Sequence, residues 1–342
     1  MSFTLFDITM SEIEKHIETV IDLSQKKVFE KLTQQIRLAR QAVFVVANRT
    51  LVDLYWQIGK SISEKVSTAG WGKGIIEQLA AYIAKELPDA KGFSDKNLWR
   101  MKQFYELYSS NEKLSPMVRE ISWTHNITIM SRCKSDEERL FYIQMCKTNG
   151  LTKRELERQI DAAQYERSLS AAKLSPAMRE INVPNVKDTY VLEFLGLPEV
   201  HSESQLQKAL VANMKQFILE LGHDFIFMAE EFRLQVGFQD FYIDLLFFHR
   251  GIGAMVAFEL KVGKFKPEYL GQLDFYLEAL DRDVKKSHEN PSIGILLCHD
   301  KDDEVVEYAL SRSLSPTMVA QYQLQLPDKT VFSNKLREIL DK

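Results

Sequence analysis

Charge embedded in strand-like sequence is the tightest constraint on this chain. Two apolar runs, Phe241–Phe248 and Ala254–Val262, carry Asp244 in the first and Glu259 and Lys261 in the second. Runs so rich in Phe, Ile, Leu and Val suit buried strands. A carboxylate or ammonium group there is costly unless it is paired or bound to a cation. Gly251 and Gly253 lie between the runs and predict a turn, so the runs are expected to form a hairpin. Alternation along a strand puts Glu259 and Lys261 on one face and Leu260 on the other. Pairing of the two strands would let Asp244 face Glu259 and Lys261, which makes these three residues a candidate site.

The residue types suit one chemistry. Hard divalent ions such as magnesium or manganese favour carboxylate oxygens and keep several waters. An ion held by Asp244 and Glu259, with the Leu260 backbone carbonyl as a further ligand, would neutralise the clustered charge, activate water and stabilise charge on a phosphate. Lys261 would deprotonate or orient that water if its own pKa were depressed, or otherwise offset charge at the phosphorus. Gln272 and Tyr276, one turn apart on the following helix, are expected to orient substrate. Lys264 and Lys266, in the loop from Gly263 to Pro267, are natural phosphate contacts. The competing reading of the same spacing is a surface ion pair with no catalytic role.

The chain has 342 residues, enough for about two domains. No window reaches the ~18 continuous apolar residues of a membrane span. Met1 to Met10 lack the pattern of a signal peptide. Cys133, Cys146 and Cys298 are too few and scattered for a disulfide framework or a zinc site. They read as ordinary thiols in a reducing cytoplasm, which is the expected location. The net charge of −4 hides an asymmetry. Residues 1–185 hold 27 Lys and Arg against 23 Asp and Glu, and residues 186–342 hold 17 against 25. A mildly basic front half is compatible with a polyanion partner. The acidic back half would repel phosphate unless cations sit in it or the charge lies on a far face.

From about Ser11 to Arg167 the pattern is helical, as in Ile36–Val43 and Ile75–Ala84. Ser94 predicts an N-cap for a helix through Leu98, Met101, Phe104 and Leu107. The other face of that helix carries Lys96, Asn97, Arg100, Lys102 and Gln103. With the helix before Pro88 it forms a helix-turn-helix-like unit. Lys96 and Arg100 would then meet phosphates, with Asn or Gln on bases, unless the helix is an ordinary amphipathic one with a solvated basic face. His125, beside Trp123, reads as a packed or capping residue. A short duplication, Lys113–Ile121 and Lys173–Ile181, with a weaker echo at Ser313–Met318, reads as recurrent Ser-Pro capping.

The domain boundary is expected near residue 185, with 1–185 helical and 186–342 alternating helix and strand. The expected elements are a helix over Glu203–Leu221 ending at Gly222, and short strands at Phe225–Met228 and Phe232–Val236. After the hairpin come a helix from Pro267 to Ala279, a strand at Ile293–Cys298 and a helix at Glu304–Leu310. A strand at Tyr322–Leu326 and a helix at Ser333–Leu340 close the chain. That order predicts an α+β chain of several domains, in which an all-helical front domain precedes an α/β domain with a mixed central sheet.

The wording of the second half resembles the PD-(D/E)XK nuclease superfamily, and within it the YhcG-like members. The matching text is Asp240–Phe247, Glu259–Tyr269, Gly271–Leu277 and Glu304–Leu310. The front half is similar to that family's companion helical domain through Gly92-Phe93-Ser94, Asn97-Leu98, Met101 and Phe104. The resemblance implies a restriction-endonuclease-like fold. It also implies Asp244 and Glu259 as metal ligands, Lys261 as the catalytic lysine and Gln272 as the polar helix residue. One departure stands out: Gln207 occupies a place where similar proteins often carry Glu, and Glu203, one turn earlier, is the candidate substitute.

The expected function is a magnesium- or manganese-dependent nuclease that hydrolyses DNA phosphodiester bonds, with RNA or branched DNA as further substrates. Self-association is expected because dimeric nucleases can cut two strands. By analogy the biological role is phage defence, restriction, recombination or repair. The alternative is a non-catalytic nucleic-acid-binding or assembly subunit on a degraded nuclease fold, which Gln207 favours.

Overall fold

In the computed structural model the described residues are 23–169, 173–181, 183 and 186–327. Contacts divide the chain into two compact units, Met1–Ser131 and Arg132–Lys342. That division lies well before residue 185. The helices between the two positions pack with the sheet-bearing unit, through contacts given below.

The first unit is helical: α1 Leu23–Ala69, α2 Lys73–Glu86, α3 Asp95–Tyr108, the short α4 Leu114–Met117 and α5 Trp123–Arg132, which crosses the division by one residue. The core joins Tyr55 and Ile62 of α1, Ile76 of α2, and Leu98 and Met101 of α3. Ser94 caps α3 as expected, its Oγ accepting the Asn97 N–H at 3.3 Å. α1 and α3 approach so closely at Gly59 that a Cβ there would overlap the Met101 carbonyl. His125 is a local packing residue, its Nδ1 2.6 Å from Ser122 Oγ.

The second unit opens with α6 Asp136–Asn149, α7 Lys153–Asp161, α8 Gln164–Leu169 and α9 Pro176–Ile181. A mixed six-stranded sheet follows in the order β1-β6-β5-β4-β3-β2. Its strands are β1 Thr189–Val191, β2 Phe225–Val236, β3 Gln239–His249, β4 Ala254–Lys264, β5 Asn290–Asp300 and β6 Thr317–Gln323. β1, β6, β5 and β4 run parallel, while β3 and β2 are antiparallel additions. α10 Glu203–Ala212 and α11 Met214–Leu221 cover one face with Leu206, Leu210, Phe217 and Leu221. α12 Glu268–Ala279 and α13 Asp303–Leu310 cover the other with Leu270, Leu273, Leu277, Val306 and Leu310.

Several expected elements shift. The helix over 203–221 breaks at Asn213, whose φ of −113° and ψ of 31° leave the helical region. The two strands at 225–228 and 232–236 are one strand, β2, which accommodates a bulge between Phe227 and Ala229 instead of ending there. The last strand runs over 317–323 and not 322–326, because residues from Thr317 continue the buried parallel ladder with β5. The helix expected at 333–340 lies outside the described residues. The Ser-Pro echoes also do more than cap. Ser175 Oγ accepts the Met178 N–H at 3.2 Å, opening α9, and donates to the Ser315 carbonyl at 2.7 Å, tying the second repeat to the third.

The early helices of this unit are tied to the sheet by buried charge. Glu220 on α11 is fully buried and meets Arg167 at 2.5 Å and Arg158 at 3.2 Å, with Lys187 donating to both its carboxylate and its backbone carbonyl. Arg158 also pairs with Glu193 at 2.7 Å. Burial alone would raise the Glu220 pKa, but Lys187, Arg167 and Arg158 outweigh it and hold the group near about 2.

Gly59→Ala should destabilise the first unit by about 1–3 kcal/mol, read as a lower Tm, because the obstructing atoms are backbone. Replacing Glu220 with Gln should cost about 3–5 kcal/mol near neutral pH, since it leaves Arg167 buried without a counter-charge. The carboxylate's folded pKa lies below its ordinary value, so its stabilisation is complete above about pH 5 and fades as pH falls toward 2. The Tm gap between the Gln variant and the wild type should therefore narrow steadily on acidification. A constant gap would contradict the assignment.

Candidate active site

The sheet forks where the charged residues lie. β3 and β4 pair only from His249–Ala254 to Leu245–Phe258. Beyond that point β3 stays with β2, and β4 stays with β5. Asp244 and Glu259 are the first residues past the last pair, one on each arm. In place of a ladder bond, Asp244 Oδ2 accepts the Leu260 N–H at 2.8 Å. The N–H and C=O of one strand residue point to the same side, so the Leu260 carbonyl also faces the fork. Side-chain alternation breaks here: Ile243 and Leu245, two residues apart, join opposite cores. Across β2, the register places Glu231 opposite Asp244, and Glu231 adopts a left-handed φ of 46°. A non-glycine residue in that region carries strain, which gathers at functional sites.

The three expected residues come together. Lys261 Nζ lies 2.8 Å from Glu259 Oε1 and 3.6 Å from Glu203 Oε2. Glu259 is only 2% exposed, and its Oε2 is buried without a hydrogen-bond partner. Burial, then the nearby Asp244 charge, push the Glu259 pKa up to about 7. Asp244 is raised by burial and by the charges of Glu203 and Glu231, against the lowering effect of Leu260 N–H and Lys261. Burial pulls Lys261 down, but its bond to Glu259 and the charges of Glu259, Glu203 and Asp244 prevail and hold it above its usual value. Without an ion in the site, Lys261 is thus held as an ammonium group that offsets the charge of the neighbouring carboxylates.

Gln207 is buried, and its Nε2 donates to the Asp244 backbone carbonyl at 3.0 Å, so it fixes the strand that presents Asp244. A Glu at this position, ionised, could not make that bond. Gln272 donates to Tyr276 Oη at 2.7 Å, and Tyr276 is close enough to feel the charges of Glu259, Asp244 and Lys261. Lys264 and Lys266 are exposed on the strand end and the loop after it. Lys96 and Arg100 are exposed on α3, whereas Asn97 is engaged locally, accepting from Trp123 Nε1 at 3.0 Å and donating to the Gly92 carbonyl. Two neighbours escaped the sequence reading: Glu231, and Tyr269, whose ring centroid lies 5.3 Å from Lys261 Nζ. Neither has a periodicity or spacing that marks it.

The donor set suits a hard divalent ion. Among the described residues no group of three or more His, Cys, Asp or Glu side chains is placed to hold a metal. Two carboxylates, one with a buried oxygen lacking a partner, and one backbone carbonyl match an ion that retains several waters. Burial raises both carboxylates, with Asp244 adding to the rise at Glu259, and a bound cation would favour their ionised forms.

Residues 183–339 match the family described as YhcG PDDEXK nuclease domain, and residues 31–167 match the DUF1016 N-terminal domain. The protein named Putative nuclease YhcG from Escherichia coli (strain K12) is 29% identical over 353 residues, covering 91% of this chain and 93% of that protein. A repair endonuclease from Pyrococcus abyssi is similar over 38% of this chain and 50% of its own, at 17% identity and a TM-score of 0.26. The structure of an EndoMS-dsDNA2 complex is similar over 35% of this chain and 46% of its own, at 18% identity and a TM-score of 0.23. The chain thus spans about half the length of these solved structures. The front part of the chain is thus similar to a DUF1016 N-terminal domain and the back part to a YhcG PDDEXK nuclease domain.

Proposed function

We propose that the protein is a magnesium- or manganese-dependent nuclease that hydrolyses phosphodiester bonds in DNA. The observation that carries this reading is the buried, unpartnered Glu259 Oε2 beside Asp244 and Lys261 at the fork. Asp244, Glu259 and the Leu260 carbonyl would hold the ion, which would supply charge neutralisation at the scissile phosphate. Lys261, a fixed ammonium ion, orients the attacking water and offsets the charge that builds on phosphorus. Water oxygen bonds to phosphorus as the bond to the leaving oxygen breaks; the attacking water gives a proton to solvent, and the leaving oxygen takes one from solvent. Gln207 holds Asp244 in place, and Gln272 with Tyr276 orients substrate. Lys264 and Lys266 provide exposed positive charge for phosphates beyond the scissile one.

On this reading residues 1–185 form the DNA-positioning part, with Lys96 and Arg100 as phosphate contacts, and residues 186–342 the nuclease part. Branched DNA or RNA remains a substrate class, because strand geometry rather than these residues sets the choice. The setting is cytoplasmic, in phage defence, restriction, recombination or repair. No helix among the described residues is long and apolar enough to cross a membrane. The protein acts as a homo-oligomer, so that each copy can address one strand of a duplex. A second reading, a non-cleaving nucleic-acid-binding subunit, is favoured by one observation: no third acidic side chain completes a metal cluster among the described residues.

Asp244→Ala, Glu259→Gln and Lys261→Ala should each lower metal-dependent cleavage by about 100-fold or more with little change in circular dichroism. Full activity in any of them would refute its role, and a wild type inert on supercoiled, linear, branched and single-stranded substrates would favour the second reading. Metal binding should also release protons. Glu259 titrates near about 7 without the ion, and a bound cation requires the carboxylate. Calorimetric titration with magnesium or manganese should thus show affinity rising with pH through this range and then levelling, with heats that depend on the buffer. Pairwise identical heats in buffers of different ionisation enthalpy would contradict it.

A further inference from the structure

The first half of α1 has no partner among the described residues. The later half is anchored in the helical core, with Val52, Tyr55, Trp56 and Ile62 buried. From Gln25 to Ala47 every residue with a described side chain is exposed. Large apolar side chains there are open to solvent at 49% for Phe29, 50% for Leu32, 60% for Ile36, 68% for Val43 and 64% for Val46. Val28, Leu38, Phe44 and Val45 are exposed as well, and an exposed apolar surface of this size marks an interaction site.

Their spacing identifies the partner. Phe29, Ile36 and Val43 recur every seven residues, and Leu32, Ala39 and Val46 recur every seven at an offset of three. These positions fit an a/d heptad seam along about 26 Å of helix. Lys27, Glu30, Lys31 and Arg37 all lie off the seam, on the far side of the helix. In a parallel pair the flanking g-to-e′ contacts would be Val28 with Thr33 and Gln35 with Arg40, so no like charges meet. Ile36 and Val43 at a with Leu32 at d follow the pattern of two parallel strands, while Phe29 at a and Ala39 and Val46 at d fill the rest of the seam. A surface evolved only to lie on phosphates would need neither this seven-residue period nor a seam free of cations.

We infer that the exposed half of α1 pairs with the same segment of a second copy of this chain as a parallel two-stranded coiled coil. The inference rests on the homo-oligomer reading above and adds where the copies join; it is independent of the nuclease chemistry.

Sedimentation equilibrium of the full chain tests it. The wild type is expected to be a dimer. The double variant Ile36→Glu/Val43→Glu places paired charges in the seam and is expected to weaken dimerisation by at least about 100-fold. The control Leu38→Glu/Val45→Glu removes equally exposed apolar groups off the seam and is expected to remain dimeric. Circular dichroism and metal-dependent cleavage of a short single-stranded substrate report whether each variant is folded. A monomeric wild type overturns both this inference and the homo-oligomer reading. A dimer indifferent to the seam variant, or one equally weakened by the control, overturns the coiled coil alone. So does a seam variant that stays dimeric but loses DNA binding, which would make the stripe a nucleic-acid surface. Orientation is read from disulfides. The native cysteines among the described residues are buried, so Phe29→Cys and Val46→Cys report specifically. Each alone should cross-link to its own copy, whereas linkage only in a mixture of the two would mean antiparallel strands and overturn the parallel arrangement.

Discussion

The hydrogen bond from the Leu260 N–H to Asp244 Oδ2 is the contact on which the candidate site depends. A sheet that stops pairing in its interior exposes backbone donors and acceptors, and each must find another partner. Here a side-chain carboxylate takes the donor that β3 would otherwise have satisfied. The exchange holds the two arms of the fork at a fixed separation. It also brings Asp244 beside Glu259 and leaves the Leu260 carbonyl facing the gap. Gln207 completes the arrangement from the covering helix by donating to the Asp244 carbonyl. The site is therefore a defect in the ladder whose polar groups have been reassigned, not a set of side chains added to an intact sheet.

Two buried glutamates in the same unit show how neighbours decide whether the effect of burial prevails. Glu220 is enclosed by Arg158, Arg167 and Lys187, and its pKa falls to about 2. Glu259 is nearly as buried but faces Asp244, with one ammonium group to share, and rises to about 7. The first cluster is saturated with positive charge and serves to tie helices to sheet. The second lacks positive charge and retains an unpartnered oxygen. The same residue type thus stands under opposite electrostatic balance in the two clusters.

Much of this was legible in the sequence because it depends on local pattern. The apolar runs Phe241–Phe248 and Ala254–Val262 with Gly251 and Gly253 between them predict the hairpin, and the apolar flanks mark Asp244, Glu259 and Lys261 as exceptional. Ser94 and Pro267 announce helix starts through capping chemistry that needs only a few neighbouring residues. What escaped needed distant partners. The single long β2 could not be foreseen, because a bulge and a left-handed Glu231 interrupt the pattern that would reveal it. The charge state of Lys261 depends on Glu259 and Glu203 together, and spacing alone does not sum such fields. Nothing in the sequence shows that the Gln207 amide meets the Asp244 backbone carbonyl.

Periodicity and composition therefore determined by themselves that the chain would build a helical front, a mixed sheet and a polar exception within the central strands. They did so because side-chain direction in helices and strands follows directly from residue number. Only the tertiary structure decided that β3 and β4 part at Asp244, that helices as early as Asp136 belong with the sheet, and that Glu259 keeps a bare oxygen. Each of those outcomes is a balance among groups far apart in the chain, whose mutual distances and shared burial exist only once it has folded.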